Sequence, residues 1–273
     1  MVTQEQRKRQ LAREKFLRQQ QRRTAARRKA RARNSVIASV LGVIVIGSVL
    51  LYTTGVMKDD KKSNASADVT PSASATTSKA PDPCAKPAAG KIKTETWKKE
   101  PAMTIDTSAA YTMKLATTCG DIDIALKTKA APHTVNSFDF LASKGFFDHT
   151  KCHRLTTNGI YVLQCGDPTG AGSGGPGYTI PDENLKDTSL KGGTYPAGTV
   201  AMANTGQKHT GGSQFFLVYK DSQLPASYTP FGTISASGMK VLNKIAAAGE
   251  STGQGDGAPN ATVVINKATV TKS

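Results

Sequence analysis

From residue 111 to 126 apolar and polar residues alternate, YTMKLATTCGDIDIAL, on both sides of TTCGD. That is the pattern of a β-hairpin with one buried face. Val135, Phe138, Leu141 and Ala142 then recur at helical spacing, with Pro132 ahead and Gly145 behind, and predict a helix within TVNSFDFLASKGFF, 134–147. CHRLTTNGIYVLQCGD (152–167) reads as two short strands, and GTVAMAN (198–204) and GSQFFLVY (212–219) as two more. MKVLNKIAAAG (239–249) predicts a second helix and ATVVINKATV (261–270) a closing strand. Many short strands, two helices and no regular βαβ alternation predict a mainly β, antiparallel barrel rather than a doubly wound sheet.

The first hundred residues follow other rules. NSVIASVLGVIVIGSVLLYTTGVM, residues 34–57, contains no charge. About 20 such residues cross a bilayer as a helix. A cleaved signal peptide would have a shorter apolar region and a small-x-small site, and LYTTGVM offers none. An uncleaved single-pass transmembrane helix is the expectation, with the preceding segment in the cytoplasm and the remainder outside the cell membrane. Residues 1–33 hold thirteen Lys and Arg against Glu5 and Glu14, so about +11 of the formal +16 lies there. Such a segment is suited to anionic lipid, although fixing topology is a sufficient role. The rest is only mildly basic, without an interleaved aromatic and basic stripe, so no nucleic-acid partner is expected. Residues 58–100 are rich in Ser, Thr, Ala and Pro and read as a disordered linker. A folded domain is expected over 101–273.

Most catalytic chemistries find no footing. His133, His149, His153 and His209 have no partners at metal-ligand spacing, and no G-x-S-x-G elbow occurs. GAGSGG (170–175) matches a dinucleotide fingerprint in letters, but Asp167-Pro168 precedes it and no helix follows, so it reads as a loop. Four cysteines in a domain placed outside the membrane suggest disulfides. Cys152 and Cys165 lie on neighbouring predicted strands, which would leave Cys84 with Cys119. That is one of three connectivities, with buried free thiols as the alternative.

What remains is Arg154 and Gln164 on a half-buried hairpin. A cation there is costly unless something polar meets it. Arg154 could pair internally with Asp167 or Glu183, or its partner could be a ligand. Around it stand His153-Arg154-Leu155, Gln164-Cys165-Gly166-Asp167-Pro168, GAGSGG, Asp182-Glu183-Asn184, Met202-Ala203-Asn204, Gly212-Ser213-Gln214-Phe215-Phe216 and Phe231-Gly232, after APHTVNSF at 131–138. In this order, over about 160 residues, they resemble the cyclophilin-type peptidyl-prolyl isomerases.

The resemblance implies an eight-stranded antiparallel barrel capped by two α-helices, acting on proline-containing polypeptides without metal or cofactor. It assigns Arg154 as the catalytic cation. Phe216 and Leu224 would floor the proline pocket, beside Tyr161, Val162 and Ala203, while Gln164, Asn204 and Gln214 hold the substrate backbone. From periodicity alone, Phe216 and Leu224 would be ordinary core residues, and Gln214 and Asn204 would merely satisfy turn backbone. The chain departs from the family pattern in three ways. Arg154 and Gln164 are ten residues apart rather than eight, so TTNG (156–159) looks like an expanded turn, and the pocket aromatic falls on Tyr161, or on Ile160 if the gap is placed differently. Cys165 replaces a usual glycine. Gln223 and Tyr228 stand where tryptophan and histidine are common. A proline-binding module that has lost catalysis is the competing function, and nothing suggests more than a monomer.

Overall fold

A computed structural model of the chain describes residues 81–272. The hairpin is β1 (Tyr111–Thr117) and β2 (Gly120–Leu126), paired in unbroken register from Tyr111–Leu126 to Thr117–Gly120. Met113, Leu115, Ile122 and Ile124 are fully buried while the residues between them are not, as the two-residue repeat of a strand requires. The first helix, α1 (Pro132–Ser143), begins with proline, whose missing N–H costs nothing in a first turn. It stops where Gly145 adopts φ 66° and the Phe146 N–H returns to the Leu141 carbonyl. Gly145 thus ends the helix as its position behind the apolar repeat predicts, and Phe146 and Phe147 follow it and turn into the core.

The remaining strands are β3 (Thr150–Lys151), β4 (Arg154–Thr156), β5 (Val162–Cys165), β6 (Thr194–Tyr195), β7 (Thr199–Met202), β8 (Phe215–Val218), β9 (Ser222–Gln223), β10 (Pro230–Ile234), β11 (Asp256–Gly257) and β12 (Val264–Lys272). The second helix, α2 (Ala236–Ala247), packs on β2. It starts three residues before the sequence expectation because the Ser235 hydroxyl caps it, accepting from the Gly238 N–H at 3.0 Å.

One sheet runs β11-β4-β5-β8-β7-β10-β2-β1-β12-β3, and β6 pairs with β9 apart from it. Both ends of that order return to one stretch of chain. β3 pairs with β12, the Cys152 N–H bonds the Val263 carbonyl, and two residues later β4 pairs with β5. The curled sheet has ten strands where eight are expected, because β3 and β4 are one strand's length interrupted at Cys152-His153 and two-residue β11 is added at the edge. Its interior is aromatic. Phe138 of α1 lies 4.5 Å from Phe231, 5.2 Å from Phe147 and 5.5 Å from Phe215 between ring centroids.

The expectation of a disordered linker up to residue 100 requires a correction. Residues 81–100 have no strand or helix, yet they are fastened to the barrel. Cys84 is disulfide-bonded to Cys119 in the hairpin turn, the Ala85 N–H bonds the Thr118 carbonyl, and Trp97 packs edge-on against Phe140 at 5.0 Å. A composition average hides two anchors, one covalent and one aromatic, in otherwise featureless sequence. Among the described residues no helix is long and apolar enough to cross a membrane. The expected span 34–57, the basic segment 1–33 and the linker before residue 81 lie outside them.

Candidate active site

The outer face of β4, β5, β8 and β7 carries the site, and strand register assembles it. Arg154 sits opposite Gln164, Gln164 opposite Phe216, and Phe216 opposite Ala201. Alternation along β8 sends Phe215 and Leu217 into the barrel interior and Phe216 and Val218 outward into a second, smaller apolar cluster. That cluster, Val162, Tyr195, Ala201, Phe216 and Val218, has Ile160, Ala203, Leu224 and Tyr228 packed on it. Above it opens a hollow of about 190 Å³ lined by Arg154, Ile160, Val162, Gln164, Ala203, Asn204, Phe216, Leu224 and Tyr228. Phe216 therefore does pack as a core residue, with partly buried Leu224 against it, but the core they belong to is the floor of a cavity.

Arg154 is fixed by three hydrogen bonds. Its Nε and Nη2 donate to the two carboxylate oxygens of Asp256 at 2.7 and 2.8 Å, and Nη1 donates to Gln164 Oε1 at 3.1 Å. The bond to Asp256 raises the arginine's pKa further and holds the Asp256 carboxyl below its usual range. The Gln164 Nε2 donates in turn to Gln214 Oε1 at 2.9 Å, and Gln214 Nε2 to the Gly174 carbonyl at 2.9 Å. This relay sets the orientation of each amide. A guanidinium has five N–H bonds, so two of Arg154's remain without a partner among the described residues.

Neither internal partner considered for Arg154 is used. The Asp167 carboxylate gathers the amides of Thr169, Gly172 and Ser173 and so organises the glycine-rich loop. Glu183 caps α1, accepting from the His133 and Thr134 amides at 3.0 and 2.9 Å. The partner is Asp256, 102 residues away in the Gly-rich GQGDG, with no periodic signal to reveal it.

The other expected residues divide. Val162, Gln164, Ala203, Asn204, Phe216 and Leu224 join Arg154 at the hollow. Gln214 stands behind it as the last side chain of the relay. The Asn204 side chain ties turn backbone, donating to the Ser227 carbonyl and accepting from the Gly206 N–H, while its own backbone amide has no partner among the described residues. Tyr161 does not line the hollow. Its ring meets Tyr219 at 5.8 Å and lies under the Lys220 ammonium at 4.5 Å, so Ile160 takes the pocket position. The two extra residues of TTNG leave the Arg154–Gln164 register intact. They bulge as Thr157–Ile160, held by the Thr157 N–H on the Gly255 carbonyl.

A curled antiparallel sheet carrying an anchored guanidinium beside a small hollow with an apolar floor defines a cyclophilin-like domain. A model of the family "Cyclophilin type peptidyl-prolyl cis-trans isomerase/CLD" matches residues 112–270, and the chain belongs to that family. It is 47% identical over 195 residues to a probable peptidyl-prolyl cis-trans isomerase B of Mycobacterium leprae, covering 68% of this chain and 62% of that protein. A namesake from Mycobacterium tuberculosis is 45% identical over 195 residues, covering 68% and 59%. Peptidyl-prolyl cis-trans isomerase B of Bacillus subtilis is 42% identical over 116 residues, covering 42% of this chain and 76% of the relative. The chain thus spans about three fifths of the length of the mycobacterial relatives.

Proposed function

We propose that the chain is a peptidyl-prolyl cis-trans isomerase acting on proline-containing polypeptides outside the cytoplasmic membrane. The observation that carries the reading is the anchored Arg154 at the rim of the Phe216 hollow. Resonance in the peptide bond sets a rotation barrier of about 18–20 kcal/mol. In the twisted state resonance is lost and the proline nitrogen becomes a lone-pair acceptor. A guanidinium donor aimed at that nitrogen favours the twisted state over both planar ones, which is the condition for acceleration. Lowering the barrier by about 7 kcal/mol speeds the step roughly 10⁵-fold. Only a rotation occurs, so this chemistry calls for no nucleophile, metal or cofactor.

The hollow receives the proline ring on Phe216, Leu224, Val162 and Ile160, while the free backbone amide of Asn204 and the ordered Gln164 amide flank the substrate chain. Location outside the membrane is supported by the uncharged stretch at 34–57 behind its basic flank, and by two disulfides, Cys84–Cys119 and Cys152–Cys165, which suit an oxidising compartment. A non-catalytic proline-binding module is the second reading, favoured by the commitment of two Arg154 nitrogens to Asp256. The test is refolding of an unrelated protein whose slow phase is limited by prolyl isomerisation. The chain accelerates that phase if it is an isomerase and leaves it unchanged if it only binds.

A further inference from the structure

A second, larger hollow of about 890 Å³ adjoins the first, and Gln164, Ala203 and Asn204 line both. Its wall is not made by the barrel alone. Lys98, Lys99 and Glu100 of the N-terminal arm line it together with the glycine-rich stretch Gly172–Thr179. The arm is held to that stretch. The Trp97 N–H donates to the Pro176 carbonyl at 2.8 Å. A Cβ on Gly177, which has φ 87°, would come within 2.8 Å of the Trp97 carbonyl oxygen, so only glycine admits this approach. The Cys84–Cys119 disulfide ties the same arm to the hairpin covalently.

The charge of this hollow comes from the arm. Lys98 and Lys99 are exposed and make no ion pair or hydrogen bond among the described residues. The Glu100 carboxylate lies 3.3 Å from His133 Nδ1. Every other lining residue is uncharged. A polypeptide with its proline in the first hollow thus passes two unpaired ammonium groups on flexible stems.

We propose that the arm forms a second subsite that selects proline-containing segments bearing an acidic side chain near the proline, with Lys98 and Lys99 as the specificity-determining residues. This rests on the isomerase reading for its setting, since the proline hollow fixes where the acidic residue falls. Both lysines are solvent-exposed, so each contributes roughly a two- to fivefold preference at low ionic strength, and salt screens it.

The test uses the full chain and a series of short peptides with one proline and a single Glu at each position from three before it to three after, each matched to a Gln peptide. Isomerisation rate and peptide dissociation constant are measured for each pair, at low salt and near 1 M salt. At one or two positions Glu exceeds Gln by at least twofold in kcat/KM and in affinity, the preference shrinks at high salt, and it reverses in the Lys98→Glu/Lys99→Glu double variant. Equal values for every Glu–Gln pair, or a preference that survives the charge reversal, overturn the proposal. A chain that binds peptides without isomerising them fails the isomerase reading, yet the affinity ratios still decide the subsite. Absence of binding to any peptide overturns both.

Discussion

Replacing Asp256 by Asn separates two opposite effects of one carboxylate on Arg154. Asp256 holds the guanidinium at Nε and Nη2, at 2.7 and 2.8 Å. It also neutralises part of the charge that the twisted amide needs. Asn keeps the shape but accepts only one of the two bonds, and its NH₂ then faces a guanidinium N–H. Loosening a catalytic group by about 1 Å costs on the order of 10²-fold. The opposing gain is small. The Asp256 side chain is 57% exposed, so the field is close to that of water. In a medium close to water, removing a charge about 5 Å from the reacting nitrogen changes the attraction by about 1 kcal/mol, less than the roughly 2.7 kcal/mol of a 10²-fold positioning loss. Positioning wins, and kcat/KM falls roughly 10- to 100-fold, about 1.4 to 2.7 kcal/mol. Stability moves by less than about 1 kcal/mol, as for other exposed pairs. The assay is peptide isomerisation by exchange NMR with peptide affinity measured alongside. The loss lies in kcat, with affinity within about twofold. Unchanged or increased turnover would refute Asp256 as a positioning residue and make it a brake on the arginine.

Three further outcomes follow from the packing. Cys84→Ser/Cys119→Ser opens a loop with a 35-residue separation and costs roughly 3 to 4.5 kcal/mol by chain entropy; a urea midpoint equal to that of the oxidised parent would contradict the anchored arm. Burial lowers the His153 pKa from its ordinary 6.5, and neither ring nitrogen has a hydrogen-bond partner among the described residues. A group with a depressed folded pKa contributes stability above its unfolded pKa and loses it as pH falls. Urea stability therefore drops as pH decreases below about 6.5, and the drop is smaller in His153→Phe; parallel profiles would show that another group is responsible. Ile160→Ala raises KM a few-fold while Tyr161→Ala leaves isomerisation unchanged, and the reverse pattern would place the tyrosine in the hollow after all.

What the sequence revealed and what it hid divide by range. The period-two alternation at 111–126 and the helical spacing from Val135 to Ala142 are local, and both fix burial directly. Arg154 and Gln164 were readable as a pair because a hairpin joins them, and the two-residue expansion changes the turn without changing their register. Asp256 was not readable, because its approach to Arg154 depends on β11 joining β4 across 102 residues. The arm's covalent anchor was readable as one of three cysteine pairings, Cys84 with Cys119. Its aromatic anchor was not, because Trp97 and Phe140 meet only once α1 lies against the arm. Whether Ile160 or Tyr161 enters the hollow is decided by the path of the bulge, which spacing leaves open.

The most direct test of the account is cis–trans exchange in a short X-Pro peptide, followed by NMR with the full chain, its Arg154→Ala variant and its Arg154→Lys variant. If the guanidinium stabilises the twisted amide, exchange is fast with the parent chain. It then falls by at least 10²-fold with alanine and is only partly restored by lysine, while peptide affinity changes far less. Exchange that persists in Arg154→Ala would place the catalytic power in the apolar hollow and remove the arginine from the mechanism.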